Sequence, residues 1–168
     1  MAGRRAVFAL SFVLLVPTIG ACFHPRGECI SFNWDAAPAE QVSFKTAHAL
    51  GTPGNFLPRL GTPTAIFLAH DPPRGRMVVF RYDLSSNRRI LLYEQRASMT
   101  PAQFHTDVKA SGHGIRVRDD REAIAFSGPS CDRSTTQTSV EWLEGRILFL
   151  FRARNLGLDQ AHHLIQEI

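Results

Sequence analysis

Seven histidines, His24, His48, His70, His105, His113, His162 and His163, are the side chains best suited to bind a metal or to move a proton at neutral pH. Metal-binding pairs usually stand two or four residues apart, and no two of these do. His162 and His163 are adjacent, and on a helix adjacent side chains diverge by about 100°. Solvated histidines are the reading that remains. Ser127-Gly128-Pro129-Ser130 lacks the G-x-S-x-G elbow that exposes a serine nucleophile. Asp119, Asp120 and Glu122 form a carboxylate cluster of the kind that could bind calcium or cleave a glycoside. Interleaved with Arg118 and Arg121, however, they read as a solvated hairpin tip. Gly51 and Gly54 precede no helix, so no phosphate cradle is implied. The chain is therefore expected not to be an enzyme, with no catalytic residue, no metal and no cofactor.

A different chemistry stands at the start of the chain. Arg4 and Arg5 lead into an apolar run from Ala6 to Val16, broken only by Ser11 and ended by Pro17. A basic start and a short apolar core make residues 1–21 a secretory signal helix, too short for a permanent membrane span. Ile19-Gly20-Ala21-Cys22 then resembles the bacterial lipobox, in which a branched apolar residue and two small ones precede a cysteine that is acylated on its thiol. Lipidation at Cys22 would make it the first residue of the mature protein, and two or three acyl chains form a stable anchor where one does not. The alternative is ordinary cleavage after Ala21, with Cys22 left as a free or paired thiol. Three cysteines leave one without a mate in an exported protein. If Cys22 is lipidated, Cys29 and Cys131 form an even pair that could close a disulfide in an oxidising compartment. A metal reading of these cysteines is poor, because neither has a second cysteine or histidine at ligand spacing.

Removing Arg4 and Arg5 from the 19 basic residues leaves 17 against 15 acidic ones, so the exported part is only mildly basic. Lys45 and Lys109 are the only lysines and the arginines are scattered along the sequence. Nucleic-acid binding would need a basic stripe with interleaved aromatics and is excluded. At 168 residues and 44% hydrophobic content there is room for one domain with a real core.

The elements that would position these residues are mostly strands. After the signal peptide, residues 22–41 read as a lipidated tether and N-terminal segment, with Asp35 to Glu40 as a turn. Residues 42–168 read as a single α+β domain. Val42 to Thr46 alternates in a strand-like way, and Gly51 to Pro63, with three prolines and three glycines in thirteen residues, must be a loop. Phe56, Leu57 and Leu60 in that loop still need burial, so it is expected to fold across the edge or mouth of the sheet. Thr64 to Ala69, Met77 to Tyr82 and Arg89 to Glu94 read as strands joined by turns. Thr100-Pro101-Ala102-Gln103 has the form of a capping box opening a helix that Gly112 and Gly114 stop. A hairpin from Ile115 to Ser127 follows. Thr136 to Trp142 alternates with period two, and Leu143-Glu144-Gly145 reverses the chain. From Arg146 to Ala153 both alternating sets are apolar, so this strand is covered on both faces. Leu158, Ala161, Leu164, Ile165 and Ile168 fall at helical spacing. The expected fold is α+β: a curved antiparallel sheet of about six to seven strands with two helices packed on one side. Trp142 is expected to anchor the core, with lining of an apolar pocket as its functional alternative.

Val140-Glu141-Trp142, Glu144-Gly145, the returning strand Leu148 to Phe151 and the helix Leu158 to Ile168 resemble the closing words of a domain of unknown function. That domain occurs in bacterial envelope lipoproteins and in the outer parts of anti-sigma factors. Leu57 to Gly61 (Leu-Pro-x-Leu-Gly) is similar to its entry to the first strand. More distantly the layout is similar to periplasmic lipoprotein-carrier and sigma-regulator folds, which hold acyl chains on a concave sheet face. The resemblance brings no catalytic residue. It implies a lipoprotein anchored to the cell membrane or outer envelope, on the extracytoplasmic side, acting as a non-catalytic binding or interaction module. The alternative it leaves is a carrier or sensor of lipid acyl chains. The partner would be an envelope protein or a lipid.

Overall fold

The computed structural model describes residues 29–30, 39–49, 57–71 and 75–167. The signal peptide, Cys22, His24 and the first half of the Gly51 to Pro63 loop lie outside these residues. The chain runs through β1 (Ala39–Gln41), α1 (Phe44–Ala49), β2 (Ala65–Asp71), β3 (Gly75–Ser85), β4 (Arg88–Arg96) and α2 (Pro101–Ser111). It continues through β5 (Gly114–Val117), β6 (Arg121–Pro129), β7 (Thr136–Glu144), β8 (Ile147–Arg154) and α3 (Leu158–Ile165). All eight strands join one open antiparallel sheet in the order β1-β2-β3-β4-β8-β7-β6-β5. Two four-stranded meanders thus meet where β4 pairs with β8, and α2 carries the chain from the centre of the sheet to its far edge.

The fold is α+β as expected, with one strand more than the six to seven read from the sequence. The extra strand, β1, lies in the stretch read as tether and turn, and its low β-propensity is overridden by pairing Ala39, Glu40 and Gln41 with Ala69, Leu68 and Phe67. Val42 to Thr46 does not extend the sheet. Ser43 Oγ accepts from Thr46 N–H at 3.2 Å and Ser43 O accepts from Ala47 N–H at 3.0 Å, so a serine cap starts a helix there. The capping box at Thr100 is present: Gln103 N–H donates to Thr100 Oγ1, and Thr100 N–H donates to Gln103 Oε1 at 2.8 Å. Gly112, at φ 67°, ends α2 in the left-handed conformation that favours glycine.

The two helices read from the sequence, α2 and α3, do not share a side, although Ala47 of α1 joins the same cluster as α3. Consecutive strand residues point to opposite faces, and β8 sends Phe149, Phe151 and Ala153 to one face and Leu148 and Leu150 to the other. Ala161 and Ile165 of α3 join the cluster of Trp142, Phe149 and Phe151, which defines an inner face. Phe104 and Val108 of α2 pack with Leu148, Ile124 and Leu143 on the outer face. Val108 is so close to β5 that a Cβ on Gly114 would stand 2.9 Å from its Cγ1. The physical reason is β8 itself: apolar on both faces, it needs cover on both. A second outer cluster, formed by Ala69, Met77, Val79, Leu91, Tyr93 and Leu150, lies on β2, β3, β4 and β8. Arg152 lies over the Tyr93 ring at 5.3 Å beside it.

Candidate functional site

The inner face is where an acyl ligand would have to lie, and side chains of the chain itself fill it. Leu57 is 1% exposed and joins the cluster of Phe80, Tyr82, Ile90 and Trp142. Its N–H donates to the Tyr82 hydroxyl at 3.3 Å. A single 3-10 turn, Pro58–Leu60, follows, with Leu60 N–H donating to Leu57 O at 2.9 Å. Arg59 of this turn reaches α3, contacting His163 and pairing with Glu167. The loop end is therefore tied to the helix that closes the face, as the need to bury Leu57 and Leu60 implied. Trp142 stacks on Phe149 with ring centres 5.0 Å apart and planes 8° apart, in the core role expected of it. One carboxyl group shares this interior. Glu94 is fully buried, with Val78 and Phe149 as its cross-strand neighbours. Burial pushes the Tyr82 phenol up, the Leu57 N–H pulls it partly back, and the Glu94 charge adds to the rise.

Of the histidines and carboxylates singled out above, His105, His113, His162, His163, Asp119, Asp120 and Glu122 are exposed or half-buried. His105 of α2 meets Glu122 of β6, Nδ1 to Oε2, at 2.6 Å. The hydrogen bond from His105 is the main reason that the Glu122 carboxyl is held below its ordinary value. Arg116, cross-strand from Glu122, approaches its other oxygen at 3.6 Å. The carbonyl of Arg116 in turn meets His162 Nε2 of α3 at 2.8 Å. The sequence offered no sign of this grouping, because seventeen residues separate His105 from Glu122 and only the path of α2 over β6 brings them together. His113 packs its ring on Phe126, with centres 4.5 Å apart. Asp119 and Asp120 adopt positive φ at the tip of the β5–β6 turn, where Asp119 meets Arg118 and Arg121 at 3.5 and 3.6 Å. Among the described residues no three metal-ligating side chains come together, and no helix is long and apolar enough to cross a membrane.

Cys29 and Cys131 form a disulfide, with Cα atoms 4.7 Å apart, as the cysteine arithmetic allowed. Ile30 N–H donates to Pro129 O at 2.9 Å and bridges in parallel to Ser130, so the incoming chain is fixed against the end of β6. The turn it meets is closely bonded. Ser130 Oγ donates to Asp132 Oδ1 at 2.5 Å and accepts from Thr135 N–H at 3.0 Å. The Ser130 hydroxyl and the Ser134 N–H lower the Asp132 carboxyl to about 2.

At the same end of the sheet Asp83 accepts from Arg81 Nε and from Arg89 Nε, each at 2.7 Å. Burial works to raise its pKa, but the two guanidinium groups outweigh it and hold the carboxyl below its ordinary value. A depressed folded-state pKa gives stability that is present above the unfolded value near 4 and is lost as pH falls through the folded one. Thermal melts should therefore show a constant gap between wild type and Asp83→Asn above about pH 5 that narrows below about pH 4. A gap independent of pH would mean that the arginines do not stabilise the charged form.

The chain matches no protein-family model, no curated protein and no solved structure.

Proposed function

We propose that the chain is an exported lipoprotein of the bacterial cell envelope, anchored through acyl chains on Cys22, whose α+β domain is a non-catalytic interaction module. The observation that carries this reading is the Cys29–Cys131 disulfide. It leaves Cys22 as the one thiol without a mate, and it fixes the sheet only seven residues beyond that cysteine. A rigid domain on a short leash suits presentation of a surface rather than a search through the envelope. An acyl-chain carrier would need the inner face open, and the seating of Leu57 and Leu60 against it works the other way.

The anchor is tested in a bacterial host fed an alkyne-tagged palmitate, using the full chain. The wild type should take up the tag and enter the detergent phase, and Cys22→Ala should do neither. Tag or detergent partition surviving in Cys22→Ala would overturn the anchor.

A further inference from the structure

The outer face of β2, β3, β4 and β8 is buried, yet no described helix or turn lies over it. Ala69, Met77, Val79, Leu91, Tyr93 and Leu150 are each between 4% and 7% exposed. The helices are committed elsewhere: Ala47 of α1 and Ala161 and Ile165 of α3 join the inner cluster, and α2 packs on Leu148, Ile124 and Leu143. The stretches outside the described residues differ in where their ends lie. Residues 50–56 run from α1 to Leu57, and both Ala47 and Leu57 belong to the inner cluster. Residues 72–74 only link β2 to β3, where Asp71 pairs with Gly75. Residues 31–38 are held at both ends, and those ends lie toward opposite edges of the sheet. Ile30 N–H donates to Pro129 O at the end of β6. Its side chain lies on the outer face, since a Cβ on Gly128 would stand 3.5 Å from Ile30 Cδ1 and Gly128 shares its face with Ile124. Toward the other edge Ala39 pairs with Ala69 of the outer cluster.

Nine peptide steps separate Ile30 from Ala39, a reach of at most about 32 Å. Six strand spacings separate β6 from β1, about 29 Å. The ends also differ in height: Ala39 stands level with Met77, Gln95 and Leu148, and Ile30 at the opposite end of the strands beside Pro129. No length is left for a detour around the rim. Only the direct diagonal, shortened by the twist of the sheet, joins the two ends. On the outer face that diagonal passes Arg152, Leu91, Tyr93, Val79 and Met77 before it reaches Ala69.

From these features we infer that the outer apolar face is the dock for the chain's own residues 31–38, with Phe32 and Trp34 as the side chains that cover it. Two residues apart, these rings point to the same side of an extended chain. The inference does not depend on the Cys22 anchor and goes beyond the interaction module proposed above. A partner that approaches this side meets residues 31–38 and not a bare sheet.

The test uses the exported chain with Cys22→Ala, so that a single introduced cysteine is the one thiol outside the disulfide. Bimane, which tryptophan quenches at short range, is attached at Ser139→Cys on the outer face of β7, or at His163→Cys on α3 behind the inner face. Each labelled protein is compared with its Trp34→Phe counterpart, which cancels any quenching by Trp142. The Ser139 label should brighten several-fold on Trp34→Phe, and the His163 label should not change. Arg154→Cys, on the outer side of β8, replaces Ser139→Cys if that variant loses the circular dichroism of its parent. Brightening at His163 alone would overturn the outer dock and move the segment to the inner face. Equal brightening at both positions would overturn a fixed dock, and labels that both ignore Trp34→Phe would overturn docking on either face.

Discussion

A Cys29→Ala, Cys131→Ala double variant is expected to melt roughly 12 °C below the oxidised wild type. The cross-link joins residues 102 apart in sequence, so in the chain-entropy picture it restricts the unfolded chain by about 4 kcal/mol. For a domain of this size each kcal/mol moves the melting temperature by about 3 °C. Residual structure in the unfolded state would make the measured loss smaller. The folded sheet should survive, because β6 and β7 pair from Ala123↔Trp142 to Pro129↔Thr136 without help from the bridge. Far-ultraviolet circular dichroism below the transition should therefore match wild type, and reduction of the wild type with dithiothreitol should reproduce the shift. Equal melting temperatures for oxidised, reduced and double-variant protein would mean that the cross-link constrains nothing. A second consequence bears on the proposed anchor. With the bridge cut, the Ile30 N–H bond to Pro129 O still ties the start of the described chain to the sheet, and the next described pairing is at Ala39, seventeen peptide steps from Cys22. If the Ile30 contact also opened, a leash of that length could reach about 60 Å when extended.

How much of this could be read beforehand depends on whether the signal was local. The alternation of Val140, Glu141 and Trp142, the two apolar sets of β8 and the capping box at Thr100 are local patterns, and the structure contains all of them. β1 has no such pattern, since Ala39, Glu40 and Gln41 are a strand only because the edge of β2 is there to pair with. The start of α1 was masked by Val42 and Phe44, whose alternation suggests a strand, while the deciding contact is the Ser43 cap. The placement of helices failed for another reason. Each helix shows its own apolar stripe, but which face receives it depends on the crossing from β4 to β5, and that is a property of topology. The same holds for the candidate sites. Cys29 and Cys131 could be matched by counting, whereas His105 and Glu122 are far apart in sequence and meet only in the folded sheet.

Trp142→Ala is expected to cost about 3 to 5 kcal/mol, the range for deleting a large aromatic from a packed core. The indole is 1% exposed. On one side its cross-strand neighbour is Ala123, small enough to leave it room, and on the other is Phe149, on which it stacks at 5.0 Å. Truncation removes the stack and leaves a void bounded by strands that cannot collapse without breaking their ladders, so little relaxation is available. Trp142→Phe separates the contributions. The indole Nε1 has no hydrogen-bond partner among the described residues, so phenylalanine forfeits volume but no hydrogen bond. It should therefore cost well under half as much, about 1 to 2 kcal/mol. Urea titration of the three proteins measures both steps, with the slope unchanged if the unfolded states are alike. This pair of variants also weighs the two functional readings against each other. A tryptophan lining an open acyl-binding cavity already lacks packing on one side, and its removal would leave stability nearly where it was. A loss of several kcal/mol for alanine with a small one for phenylalanine is the behaviour of a filled inner face, which turns the search for a ligand away from the inner face and toward the outer surface of the sheet.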